Sequence, residues 1–248
     1  MSKLPSKTPI TIPAGEIFWL PDGALRPYSL GHAKKFGWTP TVSALPIETS
    51  TTGVKTKIGE VEDSVEIAVS LTLQEMRPDI LAMAMAGTER VYTQTAVVNQ
   101  TITATGVKAG EIISLGVLDA TVSLVEVGGV STEDGAGYTL LGAAGHVIAR
   151  VDGDYEITYS APAILASAER AAITLMNNTG LEGVFTVIQK NPQGKRYMLK
   201  NFRATLKPSS EIPLHTDGSA LAEIELNGSG VYNEALPLTP WGELVELA

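Results

Sequence analysis

The 248-residue sequence contains no cysteine and only three histidines. The lack of cysteine excludes disulfides, thiolate metal sites and cysteine nucleophiles. The histidines at 32, 146 and 215 are far apart in the sequence and match no ligand or base spacing such as HExxH. A phosphate-binding P-loop and the GxSxG nucleophile motif are also missing. These absences favour a protein that has no catalytic activity, no cofactor and no bound metal.

Long apolar runs and an excess of positive charge are also missing. The longest apolar run, residues 80–86, is far shorter than a membrane span. The first fifteen residues, MSKLPSKTPITIPAG, lack the apolar centre of a secretory signal. The net charge of −9 opposes adsorption to DNA or anionic membranes, because phosphate is bound mainly by Lys and Arg. We therefore expect a product made or assembled in the cytosol, without a membrane partner.

A long alternating segment, VEDSVEIAVSLTL, covers residues 61–73. Successive side chains of a strand point to opposite faces, so this alternation predicts one apolar and one polar face. The polar side chains at even positions are Glu62, Ser64, Glu66, Ser70 and Thr72. Asp63 interrupts the apolar row at odd positions. Two interpretations follow, namely that the faces are exchanged or that a β-bulge lies at this point.

Four further segments carry local signals. Arg77-Pro78-Asp79 predicts a helix over residues 78–86, because Pro suits the first helical turn and Asp suits its positive end. Residues 183–189 and 196–207 predict a hairpin around the Asn-Pro-Gln-Gly turn at 191–194. Residues 220–226 predict a second amphipathic strand, with Glu223 and Glu225 on its polar face.

The remaining segments give weaker signals. Residues 1–44 are predicted to be irregular apart from a short apolar run at 17–20. Residues 45–60 are predicted to form a long loop or a β-hairpin arm. Residues 162–176 fit either a helix or a linker followed by a strand, and we favour the linker and strand.

Residues 94–161 differ in character from the rest of the chain. They consist of short β-like runs separated by Gly and Asp-Gly, a pattern typical of a small all-β domain. The sequence thus predicts a mainly β fold with one short helix and an insertion. The predicted parts are a core half over 1–93, an inserted β domain over 94–161 and a second core half over 162–248.

The order of these elements resembles the major tail tube proteins of long-tailed, siphovirus-like bacteriophages. The residues that carry the resemblance are Glu75-Met76-x-Pro78-Asp79-Ile80-Leu81-Ala82-x-Ala84, the segment GVFTVIQKNPQGKRYMLKNFRATLKPSSEIPL and the following SALAEIELNGSGVY. The resemblance covers residues 45–93 and 180–248 best. It implies a tail-tube β-sandwich or barrel with a flanking helix, and an inserted β domain on the tube exterior.

The resemblance also implies a function. Tail tube proteins form rings, usually hexameric, which stack into a hollow tube through which DNA leaves the capsid. The expected protein is a structural virion component, located in the tail and assembled in the host bacterial cytoplasm. Its expected partners are copies of itself and other tail proteins, namely the tape measure, the terminator and the baseplate or tip. DNA would pass through without specific binding.

Two groups of site residues follow from the resemblance. The first group would line an acidic or polar lumen that repels phosphate: Glu62, Ser64, Glu66, Ser70, Thr72, Glu223 and Glu225. The apolar row Val65, Ile67, Val69 and Leu71 would then face the sandwich core. The second group would contact a neighbouring subunit or ring from the 45–60 segment: Thr49, Thr51, Thr52, Val54, Lys55 and Lys57.

Three other interpretations remain open. A β-sandwich binding or capsid-decorating module would be a monomer or small oligomer with an exposed aromatic or polar site. Its tryptophans, at 19, 38 and 241, are too dispersed in sequence to indicate a carbohydrate platform. A tube subunit of a contractile secretion device would generally be shorter and lack the insertion. An enzyme would need a carboxylate pair such as Glu62 and Glu66 to act as acid and base, and nothing else in the sequence supports that role.

Overall fold

A computed structural model of the chain describes residues 12–50, 53–209, 211–212, 218 and 221–247. It is 58% strand and 6% helix, which confirms the predicted mainly β fold with one short α-helix. The elements in chain order are β1 Gly15–Pro21, β2 Tyr28–Ser29, β3 Ala33–Thr49, β4 Thr56–Leu73, α1 Pro78–Ala84, β5 Thr88–Val91, β6 Val97–Val107, β7 Ile112–Ser114, β8 Thr121–Val127, β9 Val130–Ser131, β10 Tyr138–Leu141, β11 His146–Ala149, β12 Gly153–Ala161, β13 Ala171–Thr174, β14 Leu181–Gln189, β15 Arg196–Pro208, β16 Ile224–Gly230 and β17 Glu243–Leu247. Short 3₁₀ turns lie at Gly142–Ala144 and Ala166–Ala168.

The chain forms two compact units. Unit 1 contains residues 1–89 and 173–248, and unit 2 contains residues 90–172. Unit 2 is therefore inserted between the two halves of unit 1. The sequence predicted an insertion over residues 94–161, and unit 2 extends beyond these bounds at both ends.

Unit 1 is built on one eight-stranded antiparallel sheet. The strand order is β2-β1-β14-β15-β16-β4-β3. β15 is long enough to pair with two strands: residues 204–208 pair with β16, and residues 196–200 pair with β17. The prediction that residues up to 44 are irregular was wrong from Gly15 onwards, because β1, β2 and the first part of β3 lie there. For residues 45–60 the hairpin alternative is confirmed, since β3 runs to Thr49 and β4 begins at Thr56.

Aromatic side chains fill the centre of the unit 1 core. Phe185 is fully buried on β14, and its ring centroid lies 4.4 Å from that of Trp19 and 6.4 Å from that of Phe202. Phe36 on β3 approaches the same ring to 5.1 Å. β3 is several strands away from β14 in the sheet order, so the sheet curls until its two ends enclose one core. Such aromatic contacts add to the free energy gained from burying apolar area.

Helix α1 begins where the sequence predicts and ends two residues earlier. Ile80 and Met83 bury its apolar side in the unit 1 core. Ala86 adopts a positive φ of 46°, and the Gly87 N–H donates to the carbonyl of Ala82, so the chain leaves the helical path before residue 86. The favoured linker and strand for 162–176 is also observed, with β13 as the strand.

An ion pair fixes the entry to α1. The Arg77 guanidinium donates two hydrogen bonds to the Asp79 carboxylate, at 3.1 and 2.8 Å, and a third to the carbonyl of Ser29. Burial alone would raise the pKa of Asp79, but the hydrogen bonds and charge of Arg77 outweigh it and hold that pKa below its usual range. The Asp79 carboxylate also sits in the first helical turn, where the helix dipole favours negative charge.

Unit 2 is a β-sandwich with a separate core. One sheet has the order β10-β11-β7, the other has the order β6-β12-β8-β9, and buried side chains from both sheets form a single cluster. Tyr155 on β12 is buried, with its hydroxyl 2.7 Å from the carbonyl oxygen of Gly137 and 2.9 Å from that of Val151. A tyrosine that bonds back to the preceding corner is a feature of immunoglobulin-like sandwiches.

At the junction, backbone hydrogen bonds within each unit hold together the two chain segments that connect the units. Within unit 1, the Met176 N–H donates to the carbonyl of Met85 at 3.1 Å, and the Asn178 N–H donates to that of Ala86 at 2.8 Å. Within unit 2, Gln94 and Ile164 exchange two backbone hydrogen bonds of 3.0 and 2.9 Å. The strands that enter and leave unit 2 therefore run side by side, as the pairing of β5 with β13 also requires.

Candidate functional site

The β3–β4 hairpin extends well beyond the core of unit 1. We call residues 39–66 the arm; residues 51 and 52 at its tip lie outside the described part of the chain. No described residue of the arm is buried. The large apolar side chains that it exposes are Val42, Leu45, Ile47, Val54, Ile58, Val61 and Val65. An isolated two-stranded hairpin is marginally stable in water, and the apolar side chains of this arm are exposed on it.

Two register shifts divide the arm. Ser43 pairs with Ser64 while Ala44 pairs with Glu62, so Asp63 is an extra residue in β4. A second shift leaves Ile58 as an extra residue closer to the tip. The interruption that Asp63 makes in the sequence is therefore a β-bulge, as one of the two interpretations proposed.

The bulge at Asp63 changes which face each side chain occupies. Directly paired residues of neighbouring strands share a face. Val65 pairs with Val42 and shares the face of Trp38 and the core, whereas Val61 pairs with Leu45 on the opposite face. Although Val61 and Val65 both occupy odd positions in the sequence, they point to opposite sides of the arm. The arm thus has two apolar patches on different faces.

We define the two patches by their residues. The proximal patch is Trp38, Val42 and Val65, and the distal patch is Leu45, Ile47 and Val61. Val65 is 44% exposed, so its predicted place in the core was wrong: it lies on the arm, beyond the part of β4 that the core covers. Ile67, Val69 and Leu71 are buried in the core.

The face of the sheet opposite the core is polar, and we call it the polar face. The register of β4 with β16 and β3 brings to it the residues Ser64, Glu66, Ser70, Thr72, Glu225, Asn227 and Ser229. On this face the hydroxyls of Ser43 and Ser64 lie 2.8 Å apart. Five of the seven predicted lumen residues, namely Ser64, Glu66, Ser70, Thr72 and Glu225, therefore share one surface.

The other two predicted lumen residues, Glu62 and Glu223, lie outside the polar face, and one of the five on that face, Thr72, is buried. The bulge moves Glu62 to the core side of the arm, opposite Glu66. Glu223 lies before β16, where Lys34 and Gln74 hydrogen-bond to its carboxylate and lower its pKa. Thr72 is only 8% exposed, because it sits between its paired neighbours on β3 and β16.

Two lysines on the polar face were missed by the sequence reasoning. Lys35 pairs with Thr72, and Lys207 pairs with Asn227, so both share the face of Glu66 and Glu225. The register across three strands was needed to find them, since neither lies near the acidic residues in sequence. The polar face therefore carries small polar side chains together with both acidic and basic ones, and it is not strongly acidic.

The predicted contact residues at 49–57 lie at the tip of the arm. Lys55 and Lys57 form ion pairs with Glu48 and Glu60 respectively, which restrain the end of the hairpin. Both pairs are exposed, so each contributes little to stability. Thr49 ends β3, and Val54 is exposed in the turn. Thr51 and Thr52 lie outside the described residues.

A cleft opens where the two ends of the curled sheet meet. Its volume is about 200 Å³, and six of the residues that line it are apolar and large: Ile17, Phe36, Trp38, Val187, Leu199 and Leu244. Lys34 and Lys35 line it as well. The proximal patch joins the cleft through Trp38, which belongs to both.

Among the described residues, no group of three or more His, Asp or Glu side chains is arranged to hold a metal ion. No helix formed by the described residues has the length and apolar character needed to span a membrane. The described surface of unit 1 combines an arm with apolar patches on opposite faces, a polar face and an apolar cleft.

The chain is a mainly β protein that combines a curled sheet, a long arm and an inserted sandwich. A family model described as "Protein of unknown function UCP028589" matches residues 12–240. The chain belongs to that family, because the match covers nearly all of it. A search of curated proteins gave no match.

Proposed function

We propose that the chain is a structural subunit that assembles with copies of itself into stacked rings, forming a hollow tube through which DNA passes. This is the role of the tail tube proteins of long-tailed bacteriophages, which the sequence resembles. Under this proposal the protein is part of the virion tail, and its partners are other copies and the remaining tail proteins.

The arm is the observation that carries the proposal. At about 3.3 Å per strand residue, residues 39–49 extend roughly 35 Å. None of the described arm residues is buried, although seven large apolar side chains lie there. An exposed apolar surface of this kind is a common sign of an interaction site and an aggregation hazard when left uncovered. Burial of the arm between subunits would account for both its length and its apolar composition.

The polar face supports the second part of the proposal, a channel wall. A channel wall along which DNA slides must carry few Lys and Arg side chains that bind phosphate, and few protruding apolar side chains. Ser64, Ser70, Asn227 and Ser229 are small or polar, and Glu66 is exposed among them. Closure of the sheets of successive subunits into a ring would also cover the outer edge of β3, with which no described strand pairs.

The first experiment is negative-stain electron microscopy of the purified full chain, with light scattering over a concentration series. Hollow tubes or stacked rings of uniform width are the expected result. A chain that stays monomeric, and that also fails to extend isolated tail tips, would contradict the proposal. That outcome would favour the alternative of a β-sandwich binding or capsid-decorating module.

The wall assignment has its own experiment. Particles that carry Glu66→Lys and Glu225→Lys should assemble tubes and eject DNA more slowly, because four lysines per subunit would then hold phosphate. The matched control is Glu62→Lys together with Glu60→Lys, which places the same charges on the other face of the arm. Normal ejection by the first variant would contradict the assignment of the polar face.

A further inference from the structure

Strand β6 forms an open edge of unit 2. It is the outermost strand of the sheet β6-β12-β8-β9, and no described strand pairs with its outer side. It has eleven residues, whereas the other edge strands of unit 2, β7, β9 and β10, have three, two and four. Proteins commonly protect a sheet edge by keeping it short or by placing charges or proline on it. Residues 97–107 contain no charged residue and no proline, so this edge lacks these protections.

The central part of the β6 edge is regular. From Gln100 to Ala104 the strand pairs with β12 residue for residue, and the register shifts only on either side of this stretch. Successive residues of a strand direct their backbone groups alternately to its two sides. The outer side of these five residues therefore presents a straight row of N–H and C=O groups that can pair with a further strand.

The core of unit 2 is only partly covered along this edge. Ile157 on β12 is 0% exposed, whereas Ile102, its partner on β6, is half-buried. Ala104 is half-buried in the same way, and both side chains pack against the core. A strand added beside β6 would satisfy the backbone groups of the edge, and an apolar residue opposite Ile102 would extend the core. The edge thus fits an extended strand that is apolar at its centre.

The residues around Ile102 are complementary to themselves. Thr101 and Thr103 flank it on the outer face of the sheet, where the Thr101 hydroxyl lies 3.0 Å from that of Thr158. If two copies of β6 pair in antiparallel fashion about Ile102, each Thr101 lies opposite the Thr103 of the other copy. Cross-strand threonine pairs are favourable, and no like charges meet. A second copy of β6 therefore supplies the kind of strand that the edge lacks.

We infer that unit 2 binds unit 2 of a second copy of the chain by antiparallel pairing of the two β6 strands about Ile102. The same surface serves on both copies, so the contact is isologous and ends at two copies. A ring or a filament needs a heterologous contact, so this dimer is separate from the tube proposed above and does not rest on it. Five residues a strand bury less than the roughly 1,200 Å² of a standard interface, so the dimer is weak.

Cysteine cross-linking tests the inference on the full chain without background, because the sequence contains no cysteine. One protein carries Thr101→Cys and a second carries Thr103→Cys, and the two are mixed and then oxidised. The matched control replaces Thr101→Cys with Leu124→Cys, which lies on the same face but two strands away from the edge. The mixture with Thr101→Cys should give roughly tenfold more disulfide-linked dimer, since a disulfide needs Cα atoms within about 7 Å.

Sedimentation velocity at high protein concentration provides a second measurement. Thr101→Lys together with Thr103→Lys should abolish the dimer, because lysines of the two copies would then lie opposite each other. The control, Thr121→Lys together with Leu124→Lys, adds the same charge to the same face on β8 and should leave the dimer intact.

Three results would overturn the pairing of β6. The first is an equal yield of cross-linked dimer from the test and control mixtures. The second is a dimer that survives Thr101→Lys with Thr103→Lys. The third is a chain that stays monomeric in both measurements, which would leave the edge to a strand of another protein. Tube formation by the unmodified chain is scored separately, so its failure contradicts the proposed function and not this inference.

Discussion

Unit 1 and unit 2 are both antiparallel β structures, and every strand longer than two residues that lies wholly within unit 2 has at least one buried residue. In unit 1, by contrast, no residue of β3 is buried, and β4 has none before Ile67. The strands that lie wholly within unit 2 therefore pack around its own core. Unit 1 consists of a well-packed body and an arm whose apolar side chains are not covered by the described part of the chain. The difference is confined to the arm, since both cores are packed by their own side chains.

The largest expected effect separates the two cores. Phe185→Ala should lower the free energy of unfolding of unit 1 by about 3–5 kcal/mol, because it removes a buried ring that packs on Trp19, Phe36 and Phe202. Urea denaturation followed by tryptophan fluorescence measures this, since all three tryptophans lie in unit 1. The control Ile157→Ala, in the unit 2 core, should leave that transition unchanged. Equal shifts from both variants would mean that the units unfold as one.

A smaller effect is expected from the tyrosine corner of unit 2. Tyr155→Phe removes the hydroxyl that donates to the carbonyls of Gly137 and Val151, and the loss of such a hydrogen bond typically costs about 0.5–1.5 kcal/mol. Hydrogen exchange of the unit 2 amides, followed by mass spectrometry, should show faster exchange across β12 and its neighbours. Tyr92→Phe is the control, because among the described residues the Tyr92 hydroxyl makes one long hydrogen bond, of 3.4 Å, to Gln94. If the two variants exchanged alike, the corner would have no stabilising role.

The smallest effect is expected from removing most of unit 2. Deletion of residues 95–160 should change the free energy of unfolding of unit 1 by less than about 0.5 kcal/mol, because unit 1 holds its own ends together at Met85–Met176 and Ala86–Asn178. Tube formation, checked by electron microscopy, should persist. A folded deletion variant that no longer assembles would show that the insertion takes part in the tube.

Local signals explain which elements the sequence predicted. Proline and aspartate at 78 and 79 mark the start of α1, and the turn at 191–194 marks the β14–β15 hairpin. The first part of β3 escaped prediction because Gly37 and Pro40 are uncommon in strands. They are tolerated because β3 is an edge strand, where a missing N–H or side chain breaks no pairing with a second neighbour.

The site was harder to predict than the fold. Alternation along β4 correctly grouped Ser64, Glu66 and Ser70, but it placed Glu62 with them. A bulge is a property of two paired strands, so the sequence of one strand shows only that something interrupts the pattern at Asp63. Lys35 and Lys207 reach the polar face through strand neighbours that are distant in sequence, and no local pattern contains that information.

The hydrogen bonds at the base of the insertion hold the entering and leaving chain within roughly 5 Å of each other. Unit 2 is therefore equivalent to a long loop of unit 1 whose two ends are held together by these hydrogen bonds. The entropic cost of closing a loop grows only with the logarithm of its length, so the length of the insertion has little effect on the stability of unit 1. Recombination can therefore exchange the insertion for another sequence without refitting the body. The same junction is a suitable place to graft a fluorescent or affinity domain.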